Sequence, residues 1–141
     1  MRINITGYLT RLDELLRLHG YDREGVYYRT NGDHGTSNSF MQYNGTTVQC
    51  LKDADTEEPV LVFFCHMGVM FTMISHLIHL SPFAMLHGFF GPPASVTVLS
   101  AEERVPGHAY FRVQMLGDTS HLREQGEPTS FYGGFAAPFQ F

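Results

Sequence analysis

The sequence predicts an α/β domain, with a parallel or mixed sheet packed under helices and an antiparallel strand pair at one edge. Three observations predict it. Thr6 to Leu18 places apolar residues at helical spacing. Val60 to Cys65 is an unbroken apolar run that passes through His66-Met67-Gly68 into a second, more apolar helical pattern. Ser95 to Leu99 and Ala109 to Leu116 have strand composition. A length of 141 residues and a hydrophobic content of 43% fit one globular domain with a core of its own.

In chain order, the first helix carries Leu9, Leu12, Leu15, Leu16 and Leu18 against Arg11, Asp13, Glu14 and Arg17, and Gly20 stops it. Val26 to Thr30 reads as a strand. Asn31 to Ser39 is a polar loop. Phe40 to Tyr43 and Thr46 to Leu51 flank Asn44-Gly45, a hairpin signal, and Asp53 to Pro59 is an acidic connector. Val60 to Cys65 lacks alternation, as a strand covered on both faces does. Val69 to Leu80 reads as a buried helix, ended by Ser81-Pro82, with a short turn from Phe83 to His87 and a loop from Gly88 to Pro93. The strands Ser95–Leu99 and Ala109–Leu116 are joined across Ala101 to His108. The domain spans 1–123, and the Gly-, Pro- and Phe-rich segment 124–141 has no period and reads as an extended tail.

Charge narrows the function classes. Nine basic against 14 acidic residues give a net charge of −5, and Lys52 is the only lysine, which argues against nucleic-acid binding. From Val60 to Ser100 there is no Asp, Glu, Lys or Arg. His66, His76 and His79 and the lack of a basic flank argue against a membrane span there. Cys50 and Cys65 make no disulfide framework and read as buried thiols, and no signal peptide opens the chain, so the expected compartment is cytoplasmic.

The chemistry concentrates at His66, Met67 and Gly68. Ligands bind at the carboxyl ends of strands in α/β sheets. The first turn of the following helix offers unpaired N–H groups and a positive dipole end. Gly68 permits close backbone approach, and His66 is a donor that can carry charge near neutral pH. These features describe a pocket for a small phosphorylated molecule. The alternative is a hydrogen-bonded histidine at a strand end.

The stretch from Val60 through His66-Met67-Gly68 to Leu77 resembles the second-histidine segment of the histidine phosphatase superfamily, the phosphoglycerate mutase-like proteins. Ser95 to Leu99, Ala109 to Leu116 and Asp118-Thr119-Ser120-His121-Leu122 are similar to that family's closing hairpin and terminal Asp-x-x-His-Leu. Gly7 to Gly20 resembles its preceding helix. The resemblance runs from about Ile5 to Leu122. It implies part of a three-layer αβα sandwich with a mostly parallel sheet and an antiparallel edge hairpin, lacking the family's first strand. It implies that His66 is catalytic and contacts a phosphoryl group, with Met67 and Gly68 also at the substrate, in phosphomonoester hydrolysis or phosphoryl transfer. No metal or other cofactor is implied.

The family's nucleophile lies in an Arg-His-Gly motif that this sequence lacks. Arg17-Leu18-His19-Gly20 is interrupted by a leucine, and His19 reads as a helix-end histidine. Cys65 and Met67 also depart from the family's small residues. Activity is therefore expected to be impaired. The second class of function is a non-catalytic phosphate-binding or self-associating module, with a homodimer formed through unpaired sheet edges.

Other chemistries fit less well. A cysteine-phosphatase loop after Cys65 needs an arginine where Phe71 stands. His76 and His79 share a helix face, as zinc ligands can, but no carboxylate or cysteine pair accompanies them. Met67, Met70, Met73 and Met85 read as core filler. Asp118 and His121 read as structural.

Overall fold

The computed structural model describes residues 5–30, 41–43, 48–50, 60–130 and 132. The expected loop 31–39, the Asn44-Gly45 turn, the connector 53–59 and most of the tail lie outside them. The elements are helix α1 (Ile5–Leu18), strands β1 (Asp22–Glu24), β2 (Tyr27–Arg29), β3 (Met41–Tyr43) and β4 (Val48–Cys50), helices α2 (Met67–Ile78) and α3 (Pro82–Gly88), strands β5 (Val96–Val105) and β6 (His108–Asp118), and helix α4 (Ser120–Glu124). The fold is mixed, with helices and a four-stranded antiparallel sheet of order β1-β2-β6-β5; β3 and β4 form a separate antiparallel pair.

The chain divides into two compact units. One comprises Met1–Phe63 and Ala101–Arg112, the other Phe64–Ser100 and Val113–Phe141. In the first unit, α1 buries Leu12 and Leu16, the inward positions of the expected leucine stripe. Gly20 ends it at a φ of 86°, and the amide of Tyr21 returns to the carbonyl of Leu16. Tyr28 is 1% exposed and meets Phe111 edge-on, with ring centroids 5.0 Å apart. Its hydroxyl donates to Asp13 Oδ1 at 3.3 Å, and Arg23 Nε donates to the same oxygen at 3.2 Å. Arg23 also lies over the Tyr28 ring, 5.1 Å from its centroid. One carboxylate on α1 thus binds both strands of the β1–β2 hairpin.

A second carboxylate organises the β5–β6 turn. Glu103 accepts the Thr30 hydroxyl at 3.0 Å through Oε2 and the Gly107 amide through Oε1. The Thr30 amide donates to the Gly107 carbonyl at 3.2 Å. Gly107 has a φ of 83°, which suits a residue without Cβ.

In the second unit, α2 and α3 pack on each other around Phe71, Ile74 and Met85, and Met67, Met70, Leu99, Val113 and Leu116 pack against this cluster. Each such buried side chain contributes about 1.5–3 kcal/mol relative to exposure. α2 ends at His79, in the left-handed region with a φ of 58°, and the amides of His79 and Leu80 both reach the Ser75 carbonyl. Pro82 occupies the first turn of α3, where its missing N–H costs nothing.

Several expectations are corrected. Val60 to Cys65 is in no strand; Val60, Val62 and Phe64 are exposed. An apolar run becomes a strand only where neighbours take up its backbone hydrogen bonds. Every pairing among the described strands is antiparallel, and none is parallel. The β5–β6 hairpin is longer than its apolar ends predict: the strands continue through Glu102-Glu103-Arg104, and residues 106–107 alone separate them. β1 was not foreseen, because Asp22-Arg23-Glu24 is wholly charged; antiparallel pairing with Tyr27–Arg29 imposes the strand. Cys65 is exposed rather than buried. No helix of the described residues is long and apolar enough to cross a membrane.

Candidate functional site

His66 stands at the N-cap of α2 with extended backbone, φ −85° and ψ 157°. Its carbonyl accepts the Met70 amide at 2.9 Å and so starts the helix. His66 is exposed, and its imidazole makes no capping bond. The first turn of α2 contains no acidic residue, so the positive end of the helix dipole is not neutralised from within.

The three residues of the predicted site separate in role. The Met67 side chain is partly buried against the Phe71, Ile74 and Met85 cluster, so only its amide faces a ligand question at all. Gly68 is exposed, and a Cβ there would meet nothing within 4 Å. Space is therefore not what requires a glycine in the folded chain. Its carbonyl accepts the Thr72 hydroxyl at 2.7 Å, an ordinary backbone contact within a helix. The Cys65 thiol, just upstream, is pushed up from its usual value by partial desolvation, so it is less available as a thiolate nucleophile.

Asp118 and His121 lie at the start of α4. Asp118 Oδ2 accepts both the amide and the hydroxyl of Ser120. Those bonds, the hydroxyl first, hold its carboxyl below the usual range, with Arg123 and His121 adding to the effect. An aspartate held ionised by its bonds to Ser120 is a structural group, not a proton donor near neutral pH. The residues 118–122 therefore act here as a helix start.

His19 follows α1, and its amide donates to the Leu16 carbonyl at 2.9 Å, as the helix-end reading requires. His87 stacks on Phe83, with centroids 6.0 Å apart and planes at 9°. Among the described residues there is no group of three or more His, Cys, Asp or Glu side chains placed to hold a metal ion. Met67, Met70 and Met85 are in or against the core of the second unit, as expected of filler.

One feature escaped the sequence. An open groove on the first unit is lined by Glu102, Tyr110, Phe111 and Arg112. It combines Glu102, from the expected connector, with Tyr110, Phe111 and Arg112 of the expected strand, so no linear motif announces it. Arg112 Nε pairs with Glu102 Oε1 at 3.0 Å, which offsets the charge it would offer an anion.

No family model, no curated protein and no solved structure matches the chain.

Proposed function

We propose that the chain carries the second-histidine portion of a phosphoglycerate mutase-like histidine phosphatase, with His66 as the residue that contacts the phosphoryl group of a small phosphorylated molecule. The single observation that carries this reading is the exposed, uncapped His66 at the start of a helix whose first turn holds no acid. The Met67 and Gly68 amides complete the donor set. The reaction class is phosphomonoester hydrolysis or phosphoryl transfer. In the same reading the chain is part of a three-layer αβα sandwich, in which further chain would cover the exposed Val60, Val62 and Phe64.

Covalent transfer needs a nucleophile, and the sequence holds no Arg-His-Gly motif. The isolated chain is therefore expected to turn over p-nitrophenyl phosphate weakly or not at all, while binding inorganic phosphate at His66. Any turnover is lost in His66→Ala and kept in His19→Ala. Robust turnover that His19→Ala abolishes would overturn the assignment. A second reading, a non-catalytic phosphate-binding module, is favoured by the engagement of the Asp118 carboxylate with Ser120, which leaves it no proton to donate. Phosphate-dependent shifts of the His66 ring resonances without turnover would select it. No shift at saturating phosphate would refute both.

A further inference from the structure

We propose that the free edge of β5, at Val96–Ser100, pairs with the same segment of a second copy of this chain. The inference does not depend on the phosphatase reading. β5 stands at the end of the strand order β1-β2-β6-β5, so among the described strands it has a neighbour on one side only. Proteins usually protect such an edge with lysine, proline, a bulge or brevity. β5 runs for ten residues, and Val96-Thr97-Val98-Leu99-Ser100 contains neither charge nor proline. Its first charge is Glu102.

The segment is complementary to itself. Leu99 packs against the Phe71, Ile74 and Met85 cluster, and Thr97 Oγ1 accepts the Gly117 amide at 3.1 Å, so these two side chains are engaged within the unit. Val96 and Val98 alternate with them and are 43% and 36% exposed. An antiparallel pairing centred on Val98 sets Val98 against Val98 of the copy, Val96 against Ser100, and Thr97 against Leu99. Faces match across the pair, because opposite residues in an antiparallel ladder point the same way. A shift to a centre at Ser100 would set Glu102 against Val98, and a shift to Val96 would run into Ala94, whose φ of 59° breaks the extended chain. The Val98-centred register alone pairs all five residues of Val96–Ser100 with one another.

Charge also selects the occupant. Two copies at −5 each repel wherever their acids meet, and this segment lies in the stretch from 60 to 100 where neither copy has any. A two-fold axis closes the contact at two chains and consumes both edges.

The experiment is sedimentation equilibrium between about 1 and 100 μM, the range in which a small edge contact associates. The expected mass at the upper end is twice 15.9 kDa. Val98→Lys should weaken association by at least about tenfold. Leu18→Lys, at a 75% exposed site on α1, should leave it unchanged. Amide exchange in the unaltered protein should slow at 96–100 as concentration rises, which needs no variant and so does not depend on one folding. A monomer throughout the range, a dimer that survives Val98→Lys with native circular dichroism, or protection independent of concentration would each overturn the proposal.

Discussion

Replacing Tyr28 by Phe tests the physics of the first unit at a single oxygen atom. The ring stays buried, stays edge-on to Phe111 and stays beneath Arg23. Only the hydroxyl goes, and with it the 3.3 Å bond to Asp13 Oδ1. A bond of that length to a charged acceptor contributes about 1.5 kcal/mol near neutral pH. Burial, reinforced by the Asp13 charge and opposed by Arg23, pushes the phenol from 10.0 up to about 12. An acid whose pKa is higher in the folded state is held neutral by folding. Its contribution is complete below pH 10 and is lost as pH rises from 10 towards 12, because the unfolded chain gains by ionising first. Two pH units correspond to about 2.7 kcal/mol at most. Asp13, which shares the bond, has a side chain 26% exposed, so solvent screening reduces this to about 1–2 kcal/mol.

The assay is urea unfolding of both proteins at intervals from pH 8 to pH 12. At pH 8 the unaltered protein should be more stable by about 1.5 kcal/mol. That advantage should shrink by about 1–2 kcal/mol by pH 12. The chain has seven tyrosines, and Tyr27 is also raised by burial, so the difference between the two proteins is the quantity to read. A difference that is constant from pH 8 to pH 12 would refute the claim that folding holds Tyr28 neutral. Equal stability at pH 8 would show that the bond to Asp13 contributes nothing.

Glu103→Ala removes the acceptor shared by Thr30 and Gly107 and should destabilise the chain by about 2–4 kcal/mol, read from the urea midpoint. Gly117→Ala places a Cβ 3.3 Å from Pro92 Cδ at a φ of 68° and should cost about 1–3 kcal/mol, read as a lower Tm. Gly68→Ala meets open space inside α2 and should instead stabilise by up to about 1 kcal/mol, while weakening phosphate binding if the ligand approaches the backbone there. Asp118→Asn should remove the acid sensitivity of the Asp118–Ser120 contact that precedes α4. The depressed carboxyl contributes stability above the ordinary aspartate range and loses it as pH falls through its lower folded value, so helix signals at 120–124 should become less dependent on pH below 4.

The sequence was legible where one local force sets the outcome. The leucine stripe of α1, the Gly20 stop and the Pro82 start follow from spacing and backbone stereochemistry alone, and all three stand in the structure. The hairpins were legible in part. β3 and β4 pair antiparallel with Tyr43 opposite Val48, as a hairpin there requires. β5 and β6 extend through charged residues because Glu103 gains partners on Thr30 and Gly107, a contact 73 residues apart in sequence that no window reveals. Val60 to Cys65 failed for the converse reason: composition favours a strand there, but a strand needs neighbours, and neighbours are not written in the segment itself. At the site, position was legible and role was not. His66 sits at the start of α2, but no strand directly precedes it, and the three-residue pattern is silent on Met67 turning into the core.

The exposed run from Val60 to Cys65 bears on how this protein must be handled. Six residues of high β-propensity, without charge or proline, match the composition of a steric zipper, and all but the half-buried Leu61 are exposed in the native state rather than only on unfolding. Fibril nucleation therefore need not wait for global unfolding, and colloidal lifetime would be set by concentration rather than by thermal stability. The nearest charges in the sequence are Glu57 and Glu58 on one side, beyond Pro59, and on the other side none before Glu102. A single charge introduced at Val62 would extend shelf life without touching any buried contact of either unit.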